Sequence, residues 1–154
     1  MNRHLRFLEN TLGTLPDEVA VIAQNGEILH ANRAWVDFAR QNGSSISDWR
    51  GLNYLEACER AAAEGNHPAN CARRAIQAVL SDEDAAAYMD YPCHSPSTCR
   101  RYRMVVTAFE GGGQRYAVIL HRYIGDEAID DDDVQWQLDR PRAPRVAALE
   151  PRVS

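Results

Sequence analysis

The sequence predicts an α+β fold with an antiparallel sheet, because helical segments separate two groups of strand-like segments. The first group is a hairpin over residues 18–30 that turns at Asn25-Gly26. The second group occupies residues 86–123 and turns at the glycines within residues 110–113. Hairpins on both sides of a helical stretch are typical of α+β proteins and not of a doubly wound parallel sheet. With 154 residues, 45% of them hydrophobic, the chain can form one core of ordinary size.

A short amphipathic helix opens the chain. Leu5, Leu8 and Leu12 recur at helical spacing, and Gly13 ends the run. The last two strands of the chain have apolar residues at both alternations, which favours a sheet that is covered on both faces. We therefore expect the three leucines to cover one sheet face, either in the same chain or in a second copy within a homodimer.

Three helices follow the first hairpin. Asn32 is placed to cap the first of them, and Asn53 to cap the second, over residues 54–64. Pro68 lies in the first turn of the third helix, which reaches about Leu80. These helices are expected to pack together on one face of the sheet.

Three further strands complete a predicted sheet of five. They occupy residues 86–93, 100–109 and 114–123. Beyond them, four consecutive aspartates are followed by three prolines among arginines and alanines, a composition typical of a mobile tail. The predicted organisation is an N-terminal helix (1–13), a folded domain (14–124) and an acidic, proline-rich mobile tail (125–154).

Charge and hydropathy exclude several classes of protein. All 17 basic residues are arginines, and the net charge is −5. Because the folded part is close to neutral, no basic stripe indicates nucleic-acid binding. The lack of lysine excludes Schiff-base chemistry and a Walker lysine. No apolar run is long enough to span a membrane and none follows the N-terminus as in a secretory signal, which predicts a cytoplasmic protein without membrane contact.

Three motifs occur in order along the folded domain. Residues 25–35 read NGEILHANRAW, residues 51–58 read GLNYLEAC, and residues 91–96 read YPCHSP. The first resembles the second strand and capped helix of the PAS domain, a bacterial sensory fold with a five-stranded antiparallel sheet. The other two are similar to segments of a PAS subgroup found in sensor kinases. Light-sensing relatives carry a reactive cysteine where this chain has Tyr54, so the resemblance implies no flavin-adduct photochemistry.

The resemblance implies a stand-alone sensory or protein-interaction module of bacterial signal transduction. In such a fold the sheet and helices enclose a small apolar cavity, and a ligand there shifts an arrangement that a partner protein reads. No heptad-bearing output helix follows residue 124, so the partner is expected to act in trans. The same inward residues would also fill a core without a cavity, and the identity of a ligand is open. The residues expected to face inward are Tyr54, Cys58, Ala75, Ile76, Val79, Met104, Val106 and Leu120.

The cysteines support an alternative function. Cys93, His94 and Cys99 bracket one hairpin loop, and Cys71 adds a thiol near the start of the third helix. These side chains are zinc ligands in other proteins, and His67 or Cys71 stands where haem-binding PAS proteins place an axial ligand. A thiol- or metal-based redox switch using zinc, haem or iron is therefore the alternative. The absence of any C-x-x-C pair favours no cofactor.

Enzymatic activity is not expected. Asp90, His94 and Ser95 have the side chains of a catalytic triad but lie within six positions of one hairpin, where successive side chains point in alternating directions. The aspartates at residues 130–133 have oxygens suited to metal binding, but adjacent acids without a supporting strand are typical of a solvated tail.

Overall fold

The computed structural model describes residues 3–81, 85–94 and 99–139, which form four helices and six strands. A 3-10 turn at Asp131–Asp133 precedes the last strand. In chain order the elements are α1 (Arg3–Gly13), β1 (Glu18–Ala23), β2 (Ile28–Ala31), α2 (Arg33–Gln41), α3 (Tyr54–Ala63), α4 (His67–Ser81), β3 (Ala86–His94), β4 (Cys99–Gly111), β5 (Gln114–Gly125) and β6 (Trp136–Asp139).

The strands form one antiparallel sheet in the order β2-β1-β5-β4-β3-β6. The two hairpin groups join where β1 pairs with β5, with Glu18 opposite His121 at one end of the ladder. Helices α2, α3 and α4 contribute to a core on one face of this sheet, which we call the inner face. The predicted α+β class, with helices packed on one face, is confirmed.

The core lies between α4 and the inner face of the sheet. Ala75, Ile76 and Val79 of α4 are fully buried, and so are Met104 and Val106 of β4. The helical period of α4 and the two-residue period of β4 bring these side chains face to face. Burying an aliphatic side chain of this size stabilises a fold by about 1.5–3 kcal/mol, so this contact holds the helical layer on the sheet.

The opposite, outer face of the sheet carries apolar side chains of its own. Val118 and Leu120 of β5 are half-buried there, and the rings of Phe109 and Tyr116 stack with centroids 5.2 Å apart. The apolar stripe of α1 does not lie on this face: α1 contacts α2 and buries none of its residues. Leu5 and Leu8 are each 55% exposed and Leu12 is half-buried, so cover by the same chain is not seen. Cover by a second copy stays a prediction.

β6 is formed by residues that the sequence places in the tail. It pairs with β3 and makes the sheet six-stranded, where five strands are predicted. Just before it, Val134 is 1% exposed in the core, and its carbonyl oxygen accepts a hydrogen bond from Nε2 of His67 at 3.0 Å. The added strand gives β3 backbone partners that it would otherwise lack. Residues 140–154 of the predicted tail lie outside the described residues, and the division into three domains stays a prediction.

The side chain of Asn32 ties α1, β1 and α2 together. Its Oδ1 accepts hydrogen bonds from the backbone N–H groups of Val19 and Trp35, each at 3.0 Å. Its Nδ2 donates to the carbonyl oxygens of Leu12 at 3.1 Å and Asp17 at 2.9 Å. Asn32 is only 2% exposed, and its amide uses all four of its hydrogen-bonding positions. The predicted helix cap is therefore present, and it also fixes the start of β1.

We predict that Asn32→Ala lowers the free energy of unfolding by about 2–4 kcal/mol, because it removes a cap and leaves buried backbone groups unpaired. Asn42→Ala is the matched control, since Asn42 is exposed and its amide bonds only within the end of α2. Urea denaturation of both variants measures the difference. Equal losses in the two variants would contradict the role assigned to Asn32.

Candidate functional site

A partly open cavity of about 450 Å³ lies between the inner face of the sheet and helices α2, α3 and α4. Its volume falls within the range of small-molecule sites in proteins. Five aromatic residues and one histidine supply much of its wall. The lining residues are Glu18, Trp35, Phe38, Ala39, Trp49, Tyr54, Cys58, Asn66, Pro68, Ala69, Ala72, Met89, Tyr91, Pro92, Met104, His121 and Asp131.

Trp35 is the central ring of the aromatic wall. Its ring centroid lies 6.2 Å from that of Trp49, 5.5 Å from that of Tyr54 and 5.4 Å from that of His121. The contacts with Trp49 and Tyr54 are edge-to-face, at interplanar angles of 79° and 63°. Edge-to-face contacts add to the stability that ring burial provides, so the wall is held in one arrangement.

Tyr54 owes its place to the loop before α3. Asn53 caps α3 by accepting the N–H of Glu56 at 2.9 Å, and the N–H of Tyr54 donates to the carbonyl oxygen of Gly26. Gly26 has φ +96°, and a Cβ there would lie 2.5 Å from Oδ1 of Asn53. A side chain at this turn would therefore displace the cap and, with it, Tyr54.

A buried imidazole connects two phenols at the cavity wall. The Tyr91 hydroxyl lies 2.7 Å from Nδ1 of His121, and the Tyr54 hydroxyl lies 3.4 Å from Nε2. Burial lowers the pKa of His121 to about 4. Burial also raises the pKa values of Tyr54 and Tyr91 well above their ordinary value. All three groups are therefore uncharged at neutral pH, and the neutral imidazole can accept from one phenol while donating to the other.

Glu18 places a carboxyl group beside this cluster. It is 8% exposed, and it lies opposite His121 in the β1–β5 ladder. Within the described ranges no hydrogen bond or ion pair engages the carboxyl group. Burial, together with the negative charge of Asp17, raises the pKa of Glu18 from 4.5 to about 8. A buried carboxyl group without a partner costs free energy, so Glu18 is not explained by folding alone.

A second polar group at the cavity also lacks a partner. Trp49 lines the cavity, and its buried Nε1–H has no acceptor in the part of the chain that the structure describes. This N–H can donate to a water or a ligand in the cavity. The cavity thus combines apolar walls with two polar groups, the Glu18 carboxyl and the Trp49 N–H, that have no hydrogen-bond partner in the described chain.

The structure brings only some of the predicted pocket residues to the cavity. Tyr54, Cys58 and Met104 line it. Ala75, Ile76, Val79 and Val106 are fully buried in the core beside it. The positions of β5 that face inward are Ala117, Ile119 and His121. Leu120 lies on the other alternation and therefore points to the outer face.

Sequence reasoning missed Glu18, Trp35, Trp49, Tyr91 and His121 as cavity residues. Two of them carry a signal in the strand pattern: Glu18 shares the alternation of the buried Ala20 and Ile22, and His121 that of Ile119. An ionisable side chain at an inward strand position is unusual, so both stand out once the inward alternation of each strand is known.

The thiols do not form the predicted redox or metal site within the described residues. Cys58, Cys71 and Cys93 form no disulfide there, and no three histidine, cysteine or acidic side chains are grouped to hold a metal ion. Cys71 instead contacts His67 and the Val134 carbonyl oxygen. The side chains of His94 and Cys99 lie outside the described residues. The redox alternative therefore gains no support.

Asp90, one of the three triad residues, is held by two arginines. The Asp90 carboxylate binds Nε of Arg103 at 2.7 Å and a guanidinium nitrogen of Arg101 at 3.2 Å. These contacts hold the pKa of Asp90 below its ordinary value. Ser95 lies outside the described residues.

Among the described helices, none has both the length and the apolar character that crossing a bilayer requires.

Comparison with solved structures identifies the fold. The PAS domain of BvgS from Bordetella pertussis has a TM-score of 0.55 with 16% identity, over 96% of this chain and 95% of that one. The PAS domain of an HTR-like protein from Haloarcula marismortui has a TM-score of 0.51 with 16% identity, over 80% of this chain and 100% of that one. A phage VqmA–DPO complex has a TM-score of 0.56 with 17% identity, over 78% of this chain and 52% of that one. The protein therefore has the PAS fold.

Sequence comparison adds one relative. The chain is 33% identical over 125 residues to an uncharacterized 104.1 kDa protein of Rhodobacter capsulatus. The match covers 77% of this chain but 13% of that protein, so the chain spans a small part of its relative's length. No protein-family model matches the sequence.

We predict that Glu18→Gln stabilises the protein more at pH 8 than at pH 5. Because the folded-state pKa of Glu18 is raised from 4.5 to about 8, its contribution to stability is complete below pH 4.5 and is lost as the pH rises to 8. Glutamine removes this loss. Thermal denaturation should therefore give a melting-temperature difference, variant minus wild type, that grows across this interval.

The matched control for this experiment is Glu27→Gln, which neutralises an exposed carboxylate away from the cavity. Its melting-temperature difference should stay constant over the same pH range. A difference for Glu18→Gln that is equally constant would show that the buried carboxyl group titrates as it does in water.

Proposed function

We propose that this PAS domain is a non-enzymatic sensory module of bacterial signal transduction that binds a small ligand in its cavity. The ligand-dependent state is passed in trans to a protein partner in the cytoplasm. The observation that carries the proposal is the cavity itself, with the unpartnered Glu18 carboxyl group on its wall. The motifs that are similar to those of sensor kinases agree with this function. Membership of that subgroup stays a prediction.

The cavity favours ligand binding over a role as a mere packing unit. Large residues fill a protein core to high density and leave few voids larger than a water molecule. Here a partly open cavity of about 450 Å³ lies beside the core. Its wall also holds a carboxyl group that is only 8% exposed and has no compensating contact in the described chain. A bound ligand would supply that contact.

The segment before β6 offers a route from cavity to surface. Asp131 lines the cavity, Val134 is buried in the core, and the chain then pairs with β3 as β6. A ligand that binds one placement of this segment more tightly shifts the population of its placements. A partner protein that binds one placement of the segment would then bind more or less often.

Solved proteins of this fold support a ligand-dependent role by analogy. The VqmA structures include a complex with DPO and a dimer of the Vibrio cholerae protein. Those properties belong to VqmA, whose identity to this chain is 14–17%. For this chain they motivate the search for a ligand without identifying it.

We predict that Ala69→Leu abolishes ligand binding, because the larger side chain extends into the cavity that Ala69 lines. Ala57→Leu is the matched control, on the exposed side of α3. Native mass spectrometry and thermal-shift screening of a small-molecule library compare both variants with wild type. Compounds that bind wild type and Ala57→Leu should fail on Ala69→Leu. Equal binding to all three proteins, or no binder for wild type, would contradict a sensory cavity.

We also propose that the protein forms a homodimer in which α1 of one copy covers the outer sheet face of the other. Two apolar surfaces of the described chain lack cover: the stripe of Leu5 and Leu8 on α1, and the half-buried Val118 and Leu120 on β5. Exchange of α1 between two copies buries both surfaces at once.

We predict that Leu5→Asp combined with Leu8→Asp converts the dimer to a monomer, because charged side chains cannot be buried on an apolar face without large cost. Asn10→Asp, an exposed polar position on α1, is the control and should leave the dimer intact. Light scattering after size-exclusion chromatography gives the masses. A monomeric wild type, or a double variant that remains dimeric, would rule this interface out.

A further inference from the structure

The cavity lining has an unusual charge balance. The chain contains 17 arginines, yet none of the lining residues in the described ranges is an arginine. The acidic lining residues are Glu18 and Asp131, and His121 stays neutral because burial lowers its pKa to about 4. An anionic ligand would find no positive partner here and would lose its hydration beside a carboxyl group.

The aromatic wall complements positive charge. Trp35, Trp49 and Tyr54 meet at steep interplanar angles and therefore form walls in different directions around one space. A cation near the faces of such rings is attracted by their negative π surfaces, with tryptophan the strongest partner. Cages of aromatic rings beside a carboxylate suit ammonium groups, since the rings replace the water that the cation gives up.

We propose that the cavity is selective for a small organic cation: a primary ammonium group on an apolar body, with the ammonium between the Glu18 carboxylate and the rings of Trp35, Trp49 and Tyr54 and the body in the rest of the apolar cavity. This inference rests on the proposed sensory function and names the chemical class of its ligand. It accounts for Glu18 at an inward position of β1, where an apolar residue would pack at lower cost.

Binding of the cation changes the protonation of Glu18. In the empty cavity the carboxyl group holds its proton at neutral pH, because its pKa is raised to about 8. Binding places the ammonium against the carboxylate, and the proton that Glu18 loses passes to solvent. The complex therefore carries one ammonium and one carboxylate, with one proton released for each ligand bound.

The titratable groups around Glu18 come from several elements. Asp17, its neighbour, binds Arg122 at 2.9 Å. Burial raises the pKa values of Tyr54, Tyr91 and Tyr102, and the nearby Glu18 adds to that rise. Burial lowers the pKa of His121 on β5 and raises that of Cys58 on α3, so both are uncharged at pH 7. Asp131 lines the same cavity, and Cys93 of β3 lies near Tyr91 and Tyr102.

Isothermal titration calorimetry with three probes of similar size tests the inference. The probes are 2-phenylethylammonium, the neutral 2-phenylethanol and the anionic phenylacetate. The ammonium should bind tightest and phenylacetate should not bind. The affinity of the ammonium should rise about tenfold per pH unit between pH 6 and 7.5 and level off above pH 8. Titrations in buffers of different ionisation enthalpy should report close to one proton released.

Variants locate the effect. Glu18→Gln should weaken ammonium binding at least tenfold at pH 8 and remove its pH dependence, while binding of 2-phenylethanol stays within about twofold of wild type. Glu27→Gln, the same substitution at an exposed site, should bind all three probes as wild type does.

The outcomes separate this inference from the proposed function. If 2-phenylethanol binds wild type as tightly as the ammonium does, or if ammonium binding is independent of pH, the cavity is a ligand site without cation selectivity and the inference is wrong. If none of the probes binds wild type and the library screen with Ala69→Leu also finds no cavity binder, the sensory function fails as well.

Discussion

The four hydrogen bonds of the Asn32 amide are the interaction on which the site depends. By bonding the backbone on both sides of Glu18, at Asp17 and at Val19, the amide fixes where β1 begins and therefore which face the glutamate meets. By capping α2 it also fixes the first turn of that helix, which carries Trp35. The carboxyl group and the central ring of the cavity are thus positioned from a single side chain.

The cavity combines groups that folding alone would not select. Glu18 and His121 lie opposite each other on two neighbouring central strands, at positions where aliphatic residues would pack more cheaply. Both side chains stay neutral at pH 7 because burial moves their pKa values in opposite directions, upward to about 8 for the acid and downward to about 4 for the base. Perturbed pKa values of this kind cluster at functional sites.

Most of the fold could be predicted from the sequence, because its signals are local. The Asn25-Gly26 turn, the caps at Asn32 and Asn53 and the strand alternations each depend on neighbours in the chain. β6 was missed because a four-residue strand next to an acidic run is stabilised by its pairing with distant β3. Leu120 was assigned to the wrong side because β5 is apolar on both alternations, and only its register with β1 and β4 decides which one faces the helices.

The position of β6 has a consequence for the exposed backbone of the sheet. Its two outermost strands, β2 and β6, are four residues long, whereas the longer β3, β4 and β5 lie between them. Short outer strands protect a sheet from joining with another one. If the segment carrying Val134 withdrew, the hydrogen-bonding groups of β3 that face β6, between Ala86 and Met89, would lose their partners. The molecule would then present an open strand to which an extended peptide can add itself.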